Sequence, residues 1–445
     1  MLRVILTALT MTRAGDGLPV KSPTEVGMSS TRLGAIERVV ERGIKAGGYP
    51  GASVIVGRKG AAVFEKGFGK LSWSENSTPV DAQRTIYDIA SLSKVVGTTT
   101  AIMILFDEKK IGLDDPVVNY IPTFGGGDKD KVTIRQLLTH TSGLPAGRDI
   151  WRIAQTPLEA RALVLNTPLE GRPGAQYIYS DLGADVLGLL IEVVSGEPLD
   201  KFLTRRVFEP LGMNETMYRP ADSLKYRIAP TEVTPPRGYP LRGEVHDENA
   251  YALGGVAGHA GLFSTAADLS VFAQMMLNGG EYNGVQIITK PTVELFTSRA
   301  FGHRALGWDT AEGDYGSGRY LGPTAYGHTG FTGTSMWIDP EREMFVILLT
   351  NRVHAARALR PAKVISDVRA DLSDAAVLSV LDGPKLASGS KAFRADREVG
   401  WNPPPRASRR RHGSSRHHTI ASATSRSRAG AAKKSASKKA SKKSR

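Results

Sequence analysis

Apolar positions along the chain follow two periods, helical and strand-like, and the alternation between them divides the sequence. Leu33–Ile44 (LGAIERVVERGI) places apolar residues at helical spacing, and the Gly47-Gly48-Tyr49-Pro50-Gly51 cluster after it is a stop signal. Two short apolar runs follow, Ala52–Val56 and Ala61–Phe64. The Gly57-Arg58-Lys59-Gly60 segment between them predicts an antiparallel hairpin. Thr85–Ala90 reads as a further strand-like approach. Val95–Phe106, largely apolar and without Pro, predicts a buried helix opening at Ser91. From Leu113 to about Leu277, Pro- and Gly-rich loops alternate with helical patterns such as Asp181–Val194 and Ala267–Met276, so a mainly helical middle is expected. Strand character returns at Thr334–Ile338 and Met344–Leu349, on either side of the turn-like Asp339-Pro340-Glu341-Arg342. The first and last parts should therefore share one sheet.

Beyond Pro384 the periodicity stops, and the chain runs out in Ser, Ala, Lys and Arg. Residues 385–445 are expected to form a disordered tail, strongly basic from residue 401. Composition changes the picture mainly here. The formal net charge of the 445 residues is +14, but residues 401–445 hold 14 Lys and Arg and no Asp or Glu, which leaves 44 basic against 44 acidic residues in the body. Such a tail could meet nucleic acid, anionic lipid or acidic wall polymers, or do nothing specific. With no cysteine, disulfide frameworks, thiolate metal sites and Cys nucleophiles are excluded. Residues 1–23 form an N-terminal segment in which Met1-Leu2-Arg3 and the short apolar run to Met11 resemble an incomplete export signal. No stretch reaches the roughly 18 apolar residues of a membrane span.

The chemistry centres on Ser91-Leu92-Ser93-Lys94. A serine hydroxyl attacks well only when a neighbour takes its proton, and a lysine can do so if burial or nearby cations lower its pKa. Positions three apart lie on one helical face, and a helix N-terminus favours developing negative charge. The same tetrapeptide pattern recurs at Ser388–Lys391 and Ser435–Lys438, but only Ser91 follows a strand-like run and opens an apolar helix. Two further elements come later in order. Tyr179-Ser180-Asp181 lies after Pro173-Gly174 and before a helical pattern, and His328-Thr329-Gly330 lies just before the late strand pair.

This order of S-x-x-K, Y-x-N or S-x-N, and K-T-G or H-T-G resembles the serine β-lactamase-like, penicillin-binding-protein family, in its class C-related and esterase-like branch. Leu137–Pro145 (LLTHTSGLP) and Gly258–Thr265 (GHAGLFST) add to the resemblance, which spans about residues 24 to 380. It implies a β-lactamase/DD-peptidase-like α/β (α+β) fold over residues 24–384: an antiparallel sheet flanked by helices, plus a mainly helical subdomain. It also implies that Ser91 attacks an acyl carbonyl while Lys94 and Tyr179 handle its proton. The Ser91 and Phe331 backbone N–H groups would form an oxyanion hole, and each such donor is typically worth about 3 kcal/mol in the transition state. Asp181, His328, Thr329, Gly330 and Phe331 would line the substrate. A phenol serves as a base only if cations lower its pKa from about 10, a task for Lys94 and a protonated His328.

Two departures bear on substrate. Asp181 stands where the family usually has Asn, replacing an amide donor by an acceptor, and His328 replaces the commoner lysine, a fixed positive charge, by a titratable ring. Both lean toward esters or otherwise uncharged acyl groups. A small-molecule acyl substrate is therefore expected, an ester first, then a peptidoglycan-derived D-Ala-D-Ala peptide, then a β-lactam. No cofactor is implied. His140 reads as a structural histidine at a helix end and His259 as a loop brace. Val245–Asn249 (VHDEN) holds potential metal ligands without metal-site spacing, so no metal is expected. The family points to a periplasmic or secreted protein, while the incomplete signal leaves a cytoplasmic one open. The reading from another class is a silent binding module with a basic tail.

Overall fold

The computed structural model describes residues 17–311, 316–355, 362–384, 386 and 393–394. The tail from residue 401, the rival Ser388 and Ser435 tetrapeptides and most of the N-terminal segment lie outside the described residues.

The first strands, β1 (Gly51–Arg58) and β2 (Ala61–Gly69), form the hairpin, turning on Lys59 and Gly60 alone, both with positive φ. The turn is two residues rather than four, because Gly57 and Arg58 still pair with β2 after a bulge at Val56/Gly57. The late strands are β3 (Asp309–Thr310), β4 (Tyr326–Thr329), β5 (Ser335–Asp339) and β6 (Met344–Thr350). They join the hairpin in one antiparallel sheet of order β2-β1-β6-β5-β4-β3. The two ends of the chain thus share a sheet, with Ile55 opposite Ile347 and Met336 opposite His328.

Strands covered on both faces read as unbroken apolar runs, and β1 and β6 are of this kind. Val54, Val56, Val346 and Leu348 point toward α1 (Ala35–Lys45) and the late helix α5 (Ala362–Leu378), which supply Ile36, Val40, Val364 and Val368. Ile55, Ile347 and Leu349 point the other way, into a larger core with the buried helices of the middle: α2 (Thr100–Asp107), α3 (Asp181–Ser195) and α4 (Ala266–Leu277). Each buried aliphatic chain is worth roughly 1.5–3 kcal/mol, so a one-residue slip in β6 would be costly. The architecture is the expected α+β one. The middle is not purely helical, however. Tyr87–Asp88, Leu262–Ser264 and Met217–Tyr218 form a separate three-stranded sheet. The strand approach to Ser91 is therefore only two residues long and belongs to that small sheet, not the large one.

Packing begins upstream of residue 24: Leu18 is buried and Val20 bridges to Ala62. Among the described residues no helix is long and apolar enough to cross a membrane.

Candidate active site

Ser91 sits where the small sheet hands over to a helix. Ala90, directly before it, has φ of 48°, a conformation that side chains rarely adopt, and the Asp88 carboxylate holds its N–H at 2.8 Å. The chain then coils as a π-helix over Lys94–Thr99 before continuing as α2, a wider winding than the α-helix expected there. Ser91 is half-buried at the mouth, and Lys94 is buried one turn deeper.

The Lys94 ammonium meets several acceptors, the Tyr179 hydroxyl among them. It donates to Ser91 Oγ at 3.1 Å and to the His259 carbonyl at 2.9 Å, and it forms an ion pair with Asp181 Oδ1 at 2.7 Å. Its Nζ also lies 5.1 Å from the centre of the Tyr179 ring. Asp181 and Tyr179 arrive together because Ser180 caps α3, its Oγ accepting the Gly183 N–H, so Asp181 is the first residue of that helix. Burial by itself would lower Lys94, but the Asp181 carboxylate and the Tyr179 phenol outweigh it and hold the amine above its ordinary value. This corrects the expectation of a lysine poised to take a proton: at rest Lys94 is a cation. The Asp181 carboxylate is turned to Lys94, which an Asn could not neutralise.

His328, Thr329 and Gly330 close the other side on β4. A Cβ on Gly330 would overlap Thr334 Oγ1 and the Ile89 carbonyl, so only glycine lets this strand end lie against the segment leading to Ser91. The Thr332 and Thr334 hydroxyls fasten the two segments by donating to the Asp88 and Ile89 carbonyls at 2.8 and 3.0 Å. Phe331 is about half exposed (49%) at the mouth, its ring stacked on His246 with centroids 5.8 Å apart.

His328 is buried, and burial, aided by the nearby Arg304 and Lys94 charges, depresses it to about 4 despite Asp309 at 3.9 Å. The ring is neutral near pH 7 and donates through Nδ1 to the Thr329 carbonyl at 2.8 Å. The protonated His328 expected to assist Tyr179 is therefore absent, and Lys94 is the cation beside that phenol. The two rings lie 6.0 Å apart. His140 also stays neutral, held well below its ordinary value by burial. Its Nδ1 accepts the Ser180 N–H at 3.0 Å, a structural contact that seats Tyr179 against the His140 ring at 4.6 Å.

The structure thus brings Ser91, Lys94, Tyr179 and Asp181 together, with His328 to Phe331 along one wall. Sequence reasoning missed Asp185, one turn after Asp181 on the same face of α3, and Asp247, which together enclose His259. The i, i+4 pair of aspartates was the available signal. Among the described residues no group of His, Asp and Glu converges as a metal site would require.

The Beta-lactamase family model matches residues 36–369. An Escherichia coli (strain K12) protein described as "Putative D-alanyl-D-alanine carboxypeptidase" is 34% identical over 399 residues, covering 80% of this chain and 91% of that one. A penicillin-binding protein homologue from Caulobacter crescentus superposes with a TM-score of 0.63 at 23% identity, covering 79% of this chain and 99% of its own. EstCE1, described as a hydrolase with promiscuous acyltransferase activity, does so with a TM-score of 0.63 at 23% identity, over 78% of this chain and 99% of its own. With that length of matched sequence, the chain belongs to the β-lactamase family and is a serine hydrolase related to the penicillin-binding proteins.

Proposed function

We propose that this hydrolase cleaves an uncharged carboxylic ester, or an amide of similar shape, through an acyl-enzyme on Ser91. The observation that carries the substrate preference is electrostatic. Beside Ser91 the Lys94 charge is neutralised by Asp181 and His328 has lost its proton, while the Arg352 and Arg369 guanidiniums are turned to the Phe331, Gly330 and Thr334 carbonyls. A carboxylate entering beside Ser91 would gain little there.

In this reading Ser91 Oγ attacks the acyl carbonyl as Tyr179 takes its proton, with the Lys94 ammonium stabilising the phenolate. The Ser91 and Phe331 N–H groups receive the oxyanion, and the proton passes to the leaving group. Water then attacks the ester on Ser91 by the reverse route. Thr329 and Gly330 shape the wall along which the acyl group lies. The D-alanyl-D-alanine carboxypeptidase reading stands second, and the relatives' names are what favour it. A peptidoglycan-derived substrate and an exported enzyme belong with that reading.

The test is intact-protein mass after incubation with a fluorophosphonate and, separately, a penicillin, with p-nitrophenyl acetate and butyrate turnover alongside. Labelling on Ser91 with rapid ester turnover and little penicillin adduct is expected, with all of it lost in Ser91→Ala. Stable penicillin adducts with slow ester turnover would move the assignment to the peptidase. Full activity in Ser91→Ala would remove the catalytic reading altogether.

A further inference from the structure

The Gly258–His259 peptide is wedged between α3 and the helical turn that carries Lys94. Thr98, one turn after Lys94, donates its hydroxyl to the Gly258 carbonyl at 2.7 Å, and Lys94 donates to the next carbonyl, that of His259. A Cβ on Gly258 would overlap the Ala184 carbonyl of α3, so the loop touches that helix backbone to backbone. From α3, Asp185 Oδ1 receives both the His259 backbone N–H at 3.3 Å and Nδ1 at 2.7 Å. The other ring nitrogen, Nε2, reaches Asp247 Oδ1 at 2.9 Å. His259 and Asp185 are almost completely buried. The imidazole lies between the two carboxylates, which hold it protonated on both nitrogens even though burial opposes the charge. Neither the proton relay nor the substrate wall described above uses this residue.

Lys94 Nζ donates to Ser91 Oγ and to the His259 carbonyl, and it has the Asp181 carboxylate and the Tyr179 hydroxyl beside it. The side-chain partners have freedom of their own, whereas the His259 carbonyl is backbone on a wedged loop. We propose that His259, clamped between Asp185 and Asp247, is a positioning residue for Lys94, fixing the carbonyl that aims its ammonium at Ser91 and thereby setting the acylation rate without touching substrate. This rests on the proposed function, in which the Lys94 ammonium supports the attack of Ser91. The VHDEN segment takes on a role in the same design. Asp247 caps the helix Glu248–Ala252, and the His246 N–H donates to Asp88 Oδ2 at 2.7 Å, on the carboxylate whose other oxygen holds Ala90. One segment thus braces His259 at one residue and the turn before Ser91 at the next.

The experiment measures Ser91 acylation by p-nitrophenyl acetate, and fluorophosphonate labelling by mass for slow variants, on the full chain. The variants are His259→Gln, Asp185→Asn and Asp247→Asn, each also made in a Lys94→Ala background. A small misplacement of a reacting group can cost about 100-fold, so His259→Gln and Asp185→Asn should acylate about 10- to 100-fold more slowly with KM within about twofold. Asp247→Asn keeps a good helix cap and a hydrogen-bond acceptor, so it decides the matter if the buried variants do not fold. A loss of about three- to tenfold is expected there. In the Lys94→Ala background none of the three should cost more, because the residue they act through is gone. Folded variants acylating at the wild-type rate would overturn the inference, as would losses that multiply with Lys94→Ala. Wild-type acylation in Lys94→Ala alone would instead overturn the catalytic reading on which it rests.

Discussion

Two buried histidines near the nucleophile differ in charge, His259 being protonated and His328 neutral. His259 lies between Asp185 and Asp247 and is held well above its ordinary value against the cost of burial. Among the described residues, the carboxylate beside His328 is Asp309 at 3.9 Å, already engaged by Arg304, and the ring falls to about 4. Burial penalises both rings, so the sign is decided by close, hydrogen-bonded partners. Lys94 follows the first pattern, paired directly with Asp181. At His259 and Lys94 a buried charge persists because an opposite charge touches it, and His328 on the wall that would meet the substrate has none so close.

The largest effect should come from Lys94→Met, which removes the cation that His259 and Asp181 hold in place. Acylation should fall about 1000-fold, the scale of lost acid–base assistance. The His328 ring should titrate at higher pH by NMR, since Lys94 is one of the charges depressing it. An unchanged His328 titration would break the account of its neutrality.

Next in size is the pH dependence of stability, where the two histidines should act in opposite directions. As pH falls from 6.5 to about 4, the unfolded chain gains a proton at His328 that the folded chain does not. Stability from this residue is therefore full above 6.5 and lost on acidification through that window, by roughly 3 kcal/mol. His259 binds its proton more tightly when folded, so its contribution is full below its ordinary value and is lost as pH rises through the raised one. Urea unfolding of wild type, His328→Gln and His259→Gln across pH checks this. The differences from wild type should slope oppositely, and parallel slopes would refute the comparison.

Asp181→Asn sharpens the part played by Lys94. Without its carboxylate, burial should lower the amine, and the alkaline limb of acylation, where Lys94 gives up its proton, should move to lower pH. The rate near pH 7 should change by about tenfold or less. The smallest effect is expected from Phe331→Ala. Its backbone N–H stays and the ring that packs on His246 and under the Arg352 guanidinium is lost, so KM for p-nitrophenyl butyrate should rise about two- to fivefold with kcat nearly constant.

Much of this was legible in one dimension. Alternation and turn residues placed β1, the β5–β6 pair and helices α1, α3 and α4 to within about two residues, because period and punctuation are local properties, whereas β2 runs five residues past the expected Phe64 to Gly69. The strand before Ser91 was overread, since its partner Leu262–Ser264, and Met217–Tyr218 on the far side of that partner, lie more than a hundred residues away. Helical winding at Lys94–Thr99 escaped the pattern because α- and π-turns bury the same apolar residues.

The sequence by itself determined the inventory of the site: a serine and a lysine three apart, a tyrosine before a helix, an aspartate where the family has an amide, and a histidine in place of a lysine. Only the tertiary structure decided their charges. Lys94 is a cation because Asp181 comes within 2.7 Å across 87 residues of chain, and His328 is neutral because no carboxylate comes as close. Protonation depends on distance and burial, and neither is a property of residues taken one at a time.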